Sequence, residues 1–518
     1  MTNFAEVWRS YTSEQKRNIA FYIGGIMFYK LGLEFFNGSI TTLATDRFNA
    51  SNAFTKLGAA QGVNQAAQCV GAILIAPLIK VLPTRTVLAG AVVAFALFTS
   101  LIMIIDAATG GHIREPGQKP HYGSWDADAI FPIWGLAGIV YGMVELIRRV
   151  IPADIIGANP GKLRRMDATV HVLYEVAGTA GAFASSSAIS KFGNNYSFFL
   201  SPVFFCLGGL LWTRIGALRA VHDEVDGDEP ALAAVEREGE SKNYFKQIGR
   251  GFLLFFKSIY LGGAIIFSSR AFCWLFTSYA VALYLHRFLE SSLAPAFAKR
   301  FLGTSAWSQI IVGGSNFGEL LGALTVFLLS DYVPTPMPWL RLDALALNIV
   351  WVMPTFTRTM PRTVGTAWKL AGCFIPISFG WAAGDVSLAA YIQSTLTAMN
   401  IKSKDVSPLG AVMAFLFSSY VVMNAVLSST LGKVIDKDFV ANGNIYKSLQ
   451  QVGGIQFTVA SVIILLSTLI PIGAFAFNPK TISPAVPIEK ADEEELGYDK
   501  EEQLKKQASS ENSHKEQV

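Results

Sequence analysis

Lys30 and Glu34 stand four residues apart inside an otherwise apolar run, so they share one helical face. A charge within a bilayer is expensive, and pairing offsets only part of that expense. Such a pair therefore reads as the lining of a solute cavity or as a proton-coupling couple; the plainer reading is a structural ion pair. The same choice recurs along the chain. Glu145 precedes Arg148 and Arg149 by three and four residues, the spacing of an intrahelical salt bridge at an inner gate. His171 and Glu175 repeat the four-residue spacing, and Glu175 lies deeper in its run, a depth that suits a proton carrier. Arg270 sits among Phe272, Trp274, Phe276 and Tyr279, where a guanidinium can hold an anionic solute or pair with Glu34 or Glu175. Asn316 and Glu319 lie in the glycine-rich stretch GGSNFGELLG, which directs Glu319 inward. Asn64 and Gln68, among small residues, either face the cavity or bond one helix to the next.

Other chemistries lack their residues. There is no Walker phosphate loop, which argues against direct coupling to ATP, and no HExxH; the six histidines are scattered, which argues against a metal site. No cofactor is implied and no nucleophile–base set points to an enzyme. The formal net charge of +4 is small and spread along the chain, so nucleic acid is not an expected partner.

The elements that must position these residues are membrane helices. The chain has 518 residues, 52% hydrophobic and 15% charged, with mean hydropathy +0.39. Soluble domains are about 25% charged. The alternating strands of a membrane barrel are absent. The expected fold is all-α and polytopic, with 12 transmembrane helices in two six-helix halves. The first six spans are 19–43, 55–79, 87–106, 130–151, 168–190 and 197–213; the second six are 261–286, 308–330, 341–357, 366–390, 408–431 and 453–478. Residues 1–18 form a polar cytoplasmic N-terminus without a cleavable signal pattern. Residues 214–260 form a charged cytoplasmic linker that ends in an interfacial stretch, YFKQIGRGFLLFFKSIY. Residues 479–518 form a charged, disordered tail. The four cysteines, Cys69, Cys206, Cys273 and Cys373, lie in apolar runs and read as packing residues. The sequons at Asn49 and Asn195 fall in expected outside loops, as glycosylation would require.

Lysine and arginine counts support a cytoplasmic N-terminus in the first half. In the second half they do not: Arg287, Lys299, Arg300, Arg358, Arg362, Lys433, Lys437 and Lys447 fall outside, against Arg341, Lys402 and Lys404 inside. An extra or missing span after Arg300 would repair the count.

Six spans, a charged linker and six more spans resemble the plan of the major facilitator superfamily. The loop after span 2 runs from Gly71 to Arg85 in a frame similar to the family pattern, with Lys80 and Pro83 at the family's Asp and Gly positions. The loop after span 8 runs from Gly322 through Asp331 to Arg341 and keeps the acid, which places Asp331 at an inner gate by analogy. Tyr174-EVAGTAGAF is similar to the glycine motif of span 5. The chain is most similar to fungal members. The resemblance implies secondary active transport of a small organic solute by alternating access, with protons as the coupling ion. The mixed charges suit a polar, anionic or zwitterionic solute. Export of a hydrophobic drug or secondary metabolite, and a non-transporting scaffold or sensor, are the competing readings. The partners implied are the solute, protons and the lipid bilayer of the plasma membrane or of a vacuolar or other internal membrane.

Overall fold

The computed structural model describes residues 11–115, 118–156, 160–216, 244–329, 332–398, 406–480 and 482. The linker from 217 to 243, Asp331, and the tail beyond 482 lie outside the described residues, as do the side chains of Lys80 and Arg149.

The first half holds α1 (Ser13–Arg47), α2 (Ala53–Val81), α3 (Thr84–Ala108), α4 (Ile130–Ile156), α5 (Pro160–Phe192) and α6 (Leu200–Thr213). After the linker come α7 (Tyr244–Ser268), α8 (276–301), α9 (Ser308–Leu329), α10 (337–359), α11 (Val364–Ala398), α12 (Pro408–Asn442) and α13 (446–467). Nine helices among the described residues are each long and apolar enough to cross a membrane. This is an integral, multi-pass membrane protein.

Local sequence sets the helix ends. Thr12 and Gln15 form a reciprocal capping box at the start of α1. Ser407 caps α12, Pro408 occupies its first position, and Gly443 ends it with φ +65°, a conformation that favours glycine.

The two halves pack by the same plan. Second helix meets fourth (α2 on α4, α9 on α11), and third meets fourth and sixth (α3 on α4 and α6, α10 on α11 and α13). Between halves the pattern is exchanged: α2, second in its half, packs on α12, fifth in the other, while α5 packs on α9. Small residues permit these approaches. On α9, Gly314, Gly318 and Gly322 recur every fourth residue and lie directly on the α11 backbone at Ala371, Ile375 and Phe379.

Ends are identified by their contacts. At the linker end, Gly216 donates to Asn18, Arg85 to Ile215, and Arg270 to Ile470. At the far end Asp46 meets Lys299, Ser305 and Asn194. Helices α1–α6 and α8–α13 run between these ends in alternation; α7, although one of the nine long and apolar enough to cross, meets α2 and α12 near their linker ends.

Here the structure departs from the expected seventh span. Residues 261–286 are not one helix: α7 stops at Ser268, the chain turns, and the crossing helix is 276–301. Hydropathy favours the earlier window because α8 carries His286, Arg287, Glu290, Lys299 and Arg300. This takes Arg287 off the outside count, while Lys299, Arg300, Arg358, Arg362, Lys433, Lys437 and Lys447 stay at or near the far end. Arg287 lies within the helix, and Lys299 and Arg300 are held at its far end by Asp46, the Ala50 carbonyl and Asp436.

Candidate functional site

Lys30 and Glu34 form an ion pair of 2.7 Å on α1, and both are buried. Glycines on α5 make room for them. A Cβ on Gly178 would fall 2.5 Å from Lys30 Cε, and one on Gly181 would fall 2.9 Å from Glu34 Cβ. The Lys30 ammonium lies 4.6 Å from the centre of the Tyr174 ring, and the Arg148 guanidinium lies 4.8 Å from it. One ring thus joins two charged pairs. Arg148 bonds Glu145 at 2.6 and 2.8 Å, Tyr29 donates to Glu145 at 3.1 Å, and Tyr22 donates to the Arg148 carbonyl. The described partners of this pair all belong to the first half, so it braces α1, α4 and α5.

Helices α5 and α9 bring a second set together. Glu175 is buried, and its Oε2 has no hydrogen-bond partner. Asn316 on α9 is buried as well, with an unpartnered Nδ2 that lies 3.5 Å from where a Gly178 Cβ would be. Glu319 follows Asn316 by one turn and is half-buried. It lies within electrostatic range of Glu175, Glu290, Arg287 and Lys30. Sequence reasoning missed the remaining members, Arg287 and Glu290 on α8. They bond each other at 2.9 Å, and Glu290 accepts from Ser315 at 2.5 Å. The Arg287 side chain is 45% exposed although it sits mid-helix, within electrostatic range of Glu319 on α9, Tyr420 on α12 and Tyr141 on α4. It therefore stands, partly accessible, among charged and phenolic groups of both halves. The signal was there: Arg287 and Glu290 are three apart in a run whose other residues are largely apolar or aromatic.

The charges of this site balance unevenly. Lys30, Arg148 and Arg287 each bond a carboxylate of their own helix. Glu175 and Glu319 remain, and among the described residues neither has an ion-pair partner within 4 Å.

Other expected site residues lie elsewhere. Arg270 falls in the turn between α7 and α8, exposed, and donates to the Ile470 carbonyl. The helix break places it at the linker end and not mid-span, so it does not reach Glu34 or Glu175. Asn64 donates to the Trp134 carbonyl at 2.8 Å and accepts from Gln68 at 2.8 Å, so both serve the contact of α2 with α4. Gln65 faces the other half instead, bonding Tyr420 at 2.6 Å and Asn424 at 3.0 Å. Asn195 is fully buried, donating to Asp106 at 2.8 Å and to the His121 carbonyl at 2.9 Å, a position no glycan can reach. Asn49 is exposed in a turn closed by Ser51.

The far end is closed by bonds between halves. Asp436 of α12, fully buried, accepts from the backbone N–H groups of Phe54 and Thr55 at 3.1 and 2.9 Å and from the Thr55 hydroxyl at 2.9 Å. Asn52, in the capping position of α2, makes no side-chain cap. The first turn of α2 is therefore capped by the opposite half. Asp46 with Lys299 adds a second link, at 2.5 Å. Beside Asp46, in the 109–126 loop, burial and that neighbouring carboxylate push the Tyr122 phenol up.

No family model matches the sequence, and no curated protein matches it. Solved structures do match its fold. A D-xylose-proton symporter aligns over 90% of this chain and 99% of its own, with 14% identity and a TM-score of 0.59. The peptide transporter POT in complex with sulfate covers 87% of this chain and 94% of its own, with 14% identity and a TM-score of 0.56. XylE, described as a major facilitator superfamily proton:xylose symporter, covers 88% and 95%, with 13% identity and a TM-score of 0.55. The chain has the fold of these transporters: an all-α, polytopic bundle whose two halves pack by one plan.

Proposed function

We propose that this protein is a secondary active transporter of a small polar solute, coupled to protons and working by alternating access. One observation carries the reading: where α5 of one half packs on α9 of the other, Glu175 and Glu319 come near each other, and among the described residues neither has an ion-pair partner. Two carboxylates that approach each other from opposite halves are suited to share a coupling proton. Uptake and release of that proton would then be tied to which side the site between the halves faces. Lys30, Glu34, Asn316, Arg287 and Glu290 line the solute's path. The linker end faces the cytoplasm, and Asn49 stands on the other side as the candidate glycan acceptor. The solved structures of similar fold, proton symporters of xylose among them, support transport without naming this protein's solute.

The test compares cells that express wild type, Glu319→Gln, Glu175→Gln or no protein, with metabolites of cells and medium measured separately. We expect at least one polar solute to be redistributed by wild type. Its accumulation against a gradient should be lost in Glu319→Gln, with exchange of labelled for unlabelled solute retained. If correctly localised wild type moves nothing across a broad panel, a scaffold or sensor role replaces this reading. If accumulation survives in both variants, the two acids are not the coupling site.

A further inference from the structure

Helix α7 is long and apolar enough to cross a membrane, yet its contacts keep it at one end of the bundle. Its 25 residues span about 38 Å at 1.5 Å per residue. Tyr244 donates to the Leu74 carbonyl at 3.0 Å, while a Cβ on Gly251 would fall 3.1 Å from Ile73. Two α7 residues roughly 10 Å apart thus meet adjacent residues of α2. Helix α7 therefore lies across α2 rather than along it, in the plane of the membrane near the linker end. Its other end rests on α12: Gly262 packs against Ala411, and Phe267 meets Phe415 edge-on with ring centres 5.7 Å apart. One in-plane helix therefore touches both halves.

Leu261, Gly262, Ile265 and Ile266 are turned inward. The outward side is of mixed character. Phe245, Leu253, Phe256, Tyr260 and Phe267 are 61–80% exposed. Among them stand Lys246, Arg250 and Lys257, also exposed, at spacings of four and seven that keep them on one face. The helix has no acidic residue. Water is a poor solvent for five exposed large apolar groups, and acyl chains are a poor solvent for three cations. The boundary between acyl chains and headgroups accommodates both, and a purely basic charge set favours headgroups that are anionic.

We propose that α7 is an anionic-lipid-binding helix. Leu253, Phe256 and Tyr260 form an apolar row that inserts among acyl chains, while Lys246, Arg250 and Lys257 hold negatively charged headgroups. The occupant is the bilayer leaflet at the linker end. The binding does not depend on which solute is carried.

The test uses the full-length protein in nanodiscs, with Phe256→Trp as a reporter and wild type as the background for its native tryptophans. Quenching is compared between brominated phosphatidylserine and brominated phosphatidylcholine at equal mole fraction. We expect the reporter's added emission to be quenched more strongly by the serine lipid. That preference should fall at least about tenfold, in apparent affinity, when Lys246, Arg250 and Lys257 are all changed to glutamine. A Lys246→Arg, Lys257→Arg variant, which keeps the charge, should retain it and guards against misfolding as the cause. Equal quenching by both lipids would overturn the proposal in favour of a charge-indifferent interfacial helix. No quenching by either would show that the face is covered by protein.

Discussion

Replacing Asp436 with alanine removes a buried carboxylate that joins α12 to the first turn of α2 through two backbone N–H groups and one hydroxyl. Hydrogen bonds to a charged group contribute about 1.5–3 kcal/mol each, and an orphaned buried donor costs about 1–3 kcal/mol. The three bonds share one carboxylate, and the freed N–H groups reach water once the far end opens. We therefore expect about 2–4 kcal/mol to be lost from the far-end-closed state alone. At about 1.4 kcal/mol per decade, that moves the balance between closed and open by roughly 30-fold to 1,000-fold toward open. Ser428 reports it. It is fully buried, and a Cβ on the facing Gly58 would fall 2.5 Å from its carbonyl carbon. With the four native cysteines replaced, Ser428→Cys should react slowly with a membrane-impermeant maleimide in the parent and at least about tenfold faster beside Asp436→Ala. Thr55→Ala, which deletes one of the three bonds, should give a smaller rise. A labelling rate unchanged by Asp436→Ala, in protein that still elutes as a folded species, would refute the argument that this cap holds the far end shut.

Arg287→Gln should lower transport at least about tenfold, as loss of a group that touches the solute path does, whereas the exposed Arg270→Gln should leave uptake near wild type; the reverse order would return the site to the sequence-based assignment. Gly178→Ala should displace the Lys30 ammonium from Tyr174, since Lys30 Cε stands 2.5 Å from the new methyl; reduced transport at normal expression is the expected result. The buried pair His286 with Asp343, 2.9 Å apart, makes Asp343→Ala an orphaning change on the order of 1–3 kcal/mol, readable as a lower thermal midpoint in detergent. Changing Asn49 should abolish any glycosidase-sensitive mobility shift, and changing the buried Asn195 should not alter that shift.

The two-half helical plan could be read from apolar run lengths and the charged linker, because bilayer thickness fixes span length. The same rule misled at α8. Its charges face partner helices and the contact between the halves, so average hydropathy hides this helix and draws the seventh span earlier, at 261–286, across the end of α7 and the turn that follows it. Lys30 with Glu34 was visible as a spacing on one helix, and Glu145 with Arg148 likewise. The juxtaposition of Glu175 with Glu319 was not, because it depends on α5 meeting α9 across the halves, a contact between residues far apart in the chain. Asn64, Gln65 and Gln68 show the finer limit: three amides within five residues diverge, two toward α4 and one toward α12, according to helical phase alone.

Helix α8 is wound more loosely than its neighbours, with wide π-type turns at Phe276–Val281, Leu289–Leu293 and Phe297–Phe301. A wide turn holds one more residue than an α-turn, and one residue corresponds to about 100° of rotation about the axis. Arg287 lies between the first two of these turns and Glu290 within the second. If one turn tightened while another loosened, the segment between them would spin like a screw between fixed ends. The bonds of Ser278 to Ser467 and of Lys299 to Asp46 would stay in place. Such a helix can redirect a charged pair without a hinge, so a solute could be released by torsion within one element as well as by the rocking of two halves.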